Sequence, residues 1–186
     1  RVDVLGYAAT GATVLLNSPH AADVTWKRLP REWQETIIEK KLQLFVIDAT
    51  QVAQASGMGR RTNTVLQTCF FALSGVLPKD DAILQIKKAI AKTYGGKGTE
   101  IVQKNLAAVD LAPQNLFEVK YPEKPTTTRF KPPIVAENAP DFVKRVTAVM
   151  LAGKGDLLPV SAFPVDGTWP TSTTRSWNGT CSARTS

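Results

Sequence analysis

Hydrophobic residues in this chain fall into two patterns, short unbroken runs and stripes at helical spacing, and their order predicts the elements. Residues 2–9 read as the last turns of a helix that ends near Gly11. Residues 12–16 are a continuous apolar run, a buried strand, and Asn17-Ser18-Pro19 turns the chain at its carboxyl end. Over 21–29, Val24, Trp26 and Leu29 mark a short helix halted by Pro30. Over 31–42, Trp33, Ile37 and Ile38 precede Lys40 and Lys41, the order of an amphipathic helix with a basic last turn. Leu44-Phe45-Val46-Ile47 is a second strand, and Asp48 stands where it would cap a helix over 51–56. Strand, helices, strand is the βαβ pattern of a parallel sheet, whose ligands gather beyond the carboxyl ends of strands. Asn17, Ser18 and Asp48 all stand at such ends, and each also has a structural reading as an Asx-turn or helix cap.

The helix expected over 61–73 is apolar on nearly all faces and should be buried, with Gly75 and Pro78 ending it. Asp80-Asp81 opens the next helix, striped by Ile83, Leu84, Ile86, Ile90 and Ala91 and closed by Gly95-Gly96. A further helix begins at Thr99, with Val102, Leu106 and Val109 on one side. Asn105 lies beside that stripe, as either a satisfied core amide or a group that reaches a ligand. From Val119 the character changes. Eight of the twelve prolines lie between Pro122 and Pro170, so 122–133 reads as an extended strap. One helix is expected over 141–151, followed by a surface linker over 155–160, and no internal repeat is visible.

The chemistry concentrates in Gly57-Met58-Gly59-Arg60-Arg61-Thr62-Asn63-Thr64, directly before the apolar helix. Glycines let backbone approach a ligand closely. Free N–H groups of a first helical turn, the positive end of its dipole and two guanidinium forks favour a phosphate or carboxylate. The plainer reading is a common Gly-x-Gly turn with a solvated arginine rim.

A net charge of +7, from 23 Lys and Arg against 16 Asp and Glu, suits anionic partners. The basic residues are scattered and accompany no RNA- or DNA-binding motif, so nucleic acid is not the expected partner. No apolar run reaches the ~18 residues of a membrane helix. No signal-peptide pattern is present and the chain starts at Arg1, so the expectation is a piece of a soluble, cytoplasmic protein. Two cysteines, Cys69 and Cys181, and one histidine, His20, cannot build a zinc or iron–sulfur site. Cys69 should pack as a small hydrophobe and His20 should be a turn residue.

Three stretches together resemble the pyruvate:ferredoxin (flavodoxin) oxidoreductases. They are Leu15-Leu16-Asn17-Ser18-Pro19; Val46-Ile47-Asp48-Ala49 through Gly57-Met58-Gly59-Arg60-Arg61-Thr62-Asn63-Thr64 to Leu77-Pro78; and Leu158-Pro159-Val160-Ser161-Ala162-Phe163-Pro164-Val165-Asp166-Gly167-Thr168. Lys92-Thr93-Tyr94-Gly95 and Gln103-Lys104-Asn105 fit between them in family order. The resemblance implies an internal piece of a much longer dimeric enzyme. Residues 1–121 would be an α/β, parallel-sheet gamma-type catalytic domain lacking its N-terminal part. Residues 122–174 would be a Pro-rich linker toward the iron–sulfur domain, and 175–186 an atypical tail.

Such enzymes oxidatively decarboxylate pyruvate on thiamine diphosphate with magnesium, pass electrons through 4Fe-4S clusters to ferredoxin or flavodoxin, and deliver acetyl to coenzyme A. The resemblance implies that thiamine diphosphate, magnesium and the clusters are held by other domains. It also implies that Asn63, Asn105 and Arg61 contact coenzyme A, with no catalytic residue and no metal ligand in this piece. Two departures add polarity to the loop, Thr62 for an aliphatic residue and Arg60 for a frequent glycine. After Thr174 the family's Gln-x-Glu-Lys-Arg-Asn pattern gives way to Arg175-Ser176-Trp177-Asn178-Gly179-Thr180-Cys181, which a shift of reading frame would explain. Two other readings stay open: a stand-alone nucleotide- or phosphate-binding α/β module, and a basic adaptor whose strap wraps a partner. An isolated piece should tend to aggregate through faces meant for other domains.

Overall fold

The computed structural model describes residues 3–169, and the chain divides into two compact units, Ala9–Arg129 and Arg1–Ala8 with Phe130–Ser186. The tail 175–186, with Cys181, lies outside the described residues.

The larger unit is α/β. Strands β1 (Thr13–Asn17) and β2 (Gln43–Ile47) run parallel in the register Thr13↔Gln43 to Asn17↔Ile47. Helices α1 (Ala22–Arg28) and α2 (Arg31–Glu39) make the crossover between them. A third strand, β3 (Phe117–Glu118), pairs antiparallel with β2. Two residues are too few to show an alternation, so β3 left no mark in the hydrophobic pattern.

Helix α2 stops at Glu39, and its expected basic last turn is the exit instead. Lys41 adopts φ 51°, its N–H donates to Ile38 O at 3.1 Å, and the Leu42 N–H reaches Ile37 O at 3.0 Å. This is a Schellman closure with lysine in the left-handed position that glycine usually takes. Asp48 caps α3 (Ala49–Ala55) by accepting from the Gln51 N–H at 2.9 Å. The remaining helices are α4 (Asn63–Ser74), α5 (Lys79–Tyr94) and α6 (Thr99–Leu111).

The core joins the sheet to these helices. Ile47, Ala49, Val52, Ala53, Val65, Cys69, Ala108 and Ala112 form one buried cluster, and Ile86, Ile90 and Val109 form a second. Burying a side chain of the Val or Ile class contributes about 1.5–3 kcal/mol. Helix α4 is not enclosed on all sides as its composition suggests: Val65, Thr68 and Cys69 are fully buried while Phe70 is 58% exposed. The elements of this unit cover one side of α4 and leave the Phe70 side open.

The strap after Val119 is fastened within the same unit by one buried amide. Gln34 donates to Trp26 O at 2.7 Å and accepts from the N–H groups of Thr126 and Thr127 at 2.8 and 3.2 Å. Tyr121 stacks on Trp26 with ring centroids 5.0 Å apart, and its hydroxyl donates to Leu42 O at 2.7 Å. An extended Pro-rich segment offers few internal hydrogen bonds, so such side-chain anchors hold it.

The smaller unit has a slight core of Val135, Ala139 and Val143 with Ile134, Ala148 and Leu151 against it. The helix expected over 141–151 carries a π-helical stretch, Val143–Thr147, ahead of α7 (Ala148–Leu151). At its start the chain makes only a single 3₁₀ turn, Val4–Tyr7, and is extended by Ala8. Asp3 pairs with Lys131 at 3.7 Å.

Candidate functional site

Between α3 and α4 the chain makes a tight loop. Gly57 and Gly59 have φ of 75° and 64°, the left-handed region that other residues reach only with strain. Gly57 also lies close under the Lys104 side chain, 3.2 Å from where a Cβ would stand. Lys104 is held over the loop by an ion pair with Glu100 one turn earlier, whose carboxyl that lysine keeps below the usual carboxylate range.

The loop delivers the chain into α4 without a cap. Thr62 makes no side-chain cap bond, and the N–H groups of Asn63, Thr64 and Val65 find no acceptor among the described residues. These are the orphan donors at the positive end of a 12-residue helix. In front of them lies a cavity of about 330 Å³ lined by Met58, Arg60, Arg61, Thr62, Asn63, Thr64, Tyr94 and Asn105. Arg60 and Arg61 are exposed and form no ion pair among the described residues. Cationic forks, free N–H donors and amides on one concave surface are the chemistry of a phosphate-bearing ligand.

Asn105 closes the inner wall. It is 4% exposed, accepts from the Thr64 hydroxyl at 3.0 Å and donates to Ile101 O at 2.8 Å. Its side chain thus ties the first turn of α4 to α6, and one N–H and one lone pair of the amide remain for a ligand. The three residues singled out from sequence, Arg61, Asn63 and Asn105, line one cavity. Tyr94, at the end of α5, joins them unforeseen; its only signal was its place in Lys92-Thr93-Tyr94-Gly95.

The other polar residues singled out lie elsewhere. Asn17 and Asp48 line a separate cavity of about 450 Å³ beyond the strand ends, with Pro19, Thr50, Gln51 and Gln54. There Asn17 Oδ1 accepts from the Ala49 N–H at 3.0 Å and Asp48 is occupied as the α3 cap. His20 is part of the turn, its N–H donating to Ser18 Oγ at 3.2 Å. Cys69 is fully buried, and burial pushes its thiol up to about 11, so it has no thiolate character near neutrality. Among the described residues no group of three or more His, Cys, Asp or Glu side chains is placed to hold a metal ion. No helix among them is long and apolar enough to cross a membrane.

Comparison with known proteins identifies the family. The family model for pyruvate ferredoxin/flavodoxin oxidoreductase matches residues 2–114, and the chain belongs to that family. A second model, EKR, a domain of unknown function, matches residues 128–176. The pyruvate-flavodoxin oxidoreductase of Rhodospirillum rubrum is 61% identical over 175 residues, which cover 94% of this chain and 15% of that protein. The pyruvate:ferredoxin oxidoreductase of Moorella thermoacetica is 41% identical, again over 94% of this chain and 15% of its own length. A pyruvate dehydrogenase (NADP+) of Cryptosporidium parvum is 33% identical over 94% of this chain and 10% of that protein. The chain therefore spans about one seventh of the length of its nearer relatives here.

Proposed function

We propose that this chain is the coenzyme A-binding segment of an enzyme that oxidatively decarboxylates pyruvate to acetyl-CoA and carbon dioxide and passes the electrons to ferredoxin or flavodoxin. The observation that carries the reading is the cavity at the uncapped start of α4, where Arg61, Asn63 and Asn105 meet. Arg61 and the first-turn N–H groups would take phosphate oxygens, and the amides of Asn63 and Asn105 would fix the orientation of the ligand. Thiamine diphosphate, magnesium and the 4Fe-4S clusters belong in this reading to other domains of a dimeric cytoplasmic enzyme.

The relatives' names carry three different electron acceptors, flavodoxin, ferredoxin and NADP+, yet the segment aligns with each over 94% of its length. That supports a role in what those proteins share by name, pyruvate, over a role in choosing the acceptor. The Pro-rich residues 122–174 are read as the connection toward the iron–sulfur domain. Leu157 and Val160, both well exposed, suit packing against further domains.

The test is calorimetric titration of coenzyme A into a full-length family enzyme carrying this segment. Arg61→Ala and Asn63→Ala should each weaken binding about tenfold, close to 1.4 kcal/mol. The loss for Arg61→Ala should shrink as salt rises, because its contact is largely electrostatic. Unchanged affinity in both variants would contradict the assignment.

A further inference from the structure

Residues 115–127 fall outside both family models, which match 2–114 and 128–176. They are nonetheless bound closely to the larger unit. The Val119 N–H donates to Leu44 O at 2.7 Å, Tyr121 reaches Trp26 and Leu42 O, Gln34 takes the N–H groups of Thr126 and Thr127, and Arg129 O accepts from the Arg31 N–H at 2.8 Å. These partners lie on α1, on α2 and around the start of β2, along the crossover between the parallel strands. Two of the bonds serve both sides. Pro30 stands at the N-cap of α2 with no side chain that could accept a first-turn N–H, and the strap's Arg129 carbonyl takes one. Gln34 is fully buried, and both lone pairs of its Oε1 are used by the strap. A buried amide left unpaired is costly, which favours the strap staying in place.

We infer that Gln34 is a positioning residue that makes residues 119–129 a fixed strut, so that the polypeptide leaves the larger unit at Arg129 and not at Pro122. The inference rests on the reading of this chain as a segment of a longer pyruvate oxidoreductase and adds what the strap does there. An unfastened Pro-rich stretch is stiff along its length but swings about the end that holds it. Fastened from Val119 to Arg129, it starts the following chain from one point, which raises the effective concentration of what comes after at its docking place. The step that depends on this is the one that needs two parts of the enzyme, pyruvate-dependent reduction of the acceptor. Coenzyme A binding at α4 does not depend on it, because none of the strap's partners named above lines that cavity.

The test uses a full-length family enzyme carrying this segment and two variants that open the clasp from opposite sides. Gln34→Leu removes the amide. Thr126→Pro removes the N–H that Gln34 accepts at 2.8 Å, leaves α2 untouched and sits in an extended stretch where proline fits. Hydrogen exchange over 121–129 should quicken at least about tenfold in both variants, while α4 and α6 exchange as in wild type. Pyruvate-dependent reduction of ferredoxin or flavodoxin should lose about threefold in kcat, with KM for the acceptor and calorimetric coenzyme A affinity unchanged. Tyr121→Phe keeps the ring on Trp26 and removes only the bond to Leu42 O, so it should act in the same direction and less. Faster exchange with wild-type kcat overturns the inference, as does wild-type exchange in Thr126→Pro. A fall in coenzyme A affinity alongside kcat in both variants also overturns it, because that marks damage to the larger unit and not a shift of position. A wild-type enzyme that does not reduce the acceptor from pyruvate removes the reading beneath the inference, and the inference with it.

Discussion

Two helix starts in the larger unit face cavities, and they treat their free N–H groups in opposite ways. At α3 the chain supplies its own acceptors: Asn17 Oδ1 takes the Ala49 N–H and Asp48 Oδ1 takes the Gln51 N–H. At α4 no side chain among the described residues does this, and the two arginines that flank the same turn have no ion pair among them. With two first-turn donors taken and the Asp48 carboxylate beside them, the start of α3 is a poorer place for an anion. The start of α4 retains its donors and positive field, which in the proposed reading a ligand's phosphates complete. In the proposed reading the ligand is bound at the start of α4 and not at the strand ends, the usual place in a parallel sheet.

The comparison can be broken first at Asn105. Replacing it with Leu strips the Thr64 hydroxyl of its acceptor and frees the first turn of α4 from α6. Loss of a buried hydrogen-bonded amide should cost about 2 kcal/mol in urea unfolding and weaken coenzyme A binding as well. If stability falls while affinity holds, Asn105 anchors the core and does not shape the pocket.

The closed middle of α4 gives the next effect. Burial holds the Cys69 thiol neutral up to about pH 11, against an ordinary value near 9. A raised folded-state value means that stability from this group is full below the ordinary value and is lost as pH climbs from there through about 11. The loss should be on the order of 2 kcal/mol. Cys69→Val should flatten that part of a stability profile, and native alkylation of Cys69 at pH 8 should proceed only through unfolding.

Asp48→Ala tests the satisfied helix start. Losing the α3 cap should cost about 1 kcal/mol. Coenzyme A affinity should not change, because Asp48 lines the other cavity. A drop in affinity without loss of fold would mean that the strand-end cavity takes part in binding.

Much of this contrast was written in the residues. The two parallel strands, the Asp48 cap and the order of helices follow from apolar runs and from cap chemistry that acts over three or four positions. The meeting of Arg61, Asn63 and Asn105 came from the family's motifs; spacing alone left Asn105 open between core and ligand, since 42 positions separate it from Asn63. Strand β3 escaped because two residues carry no periodicity, and the lysine at φ 51° because that conformation is usually a glycine's. The exposed side of α4 was misread for another reason. An all-apolar helix signals burial, but covering Phe70 takes elements that this unit does not contain.

The smallest change tests the central claim most directly. Thr62→Asp places a carboxylate at the open start of α4, making it resemble α3. Interaction with the helix dipole should raise stability by about 0.5 kcal/mol. Coenzyme A affinity at low salt, measured by calorimetry in a full-length family enzyme, should fall at least about tenfold, because the carboxylate competes for the donors and repels phosphate. A stability gain with weaker binding is the predicted result. Affinity equal to wild type would contradict the claim that the uncapped turn is where the phosphates bind.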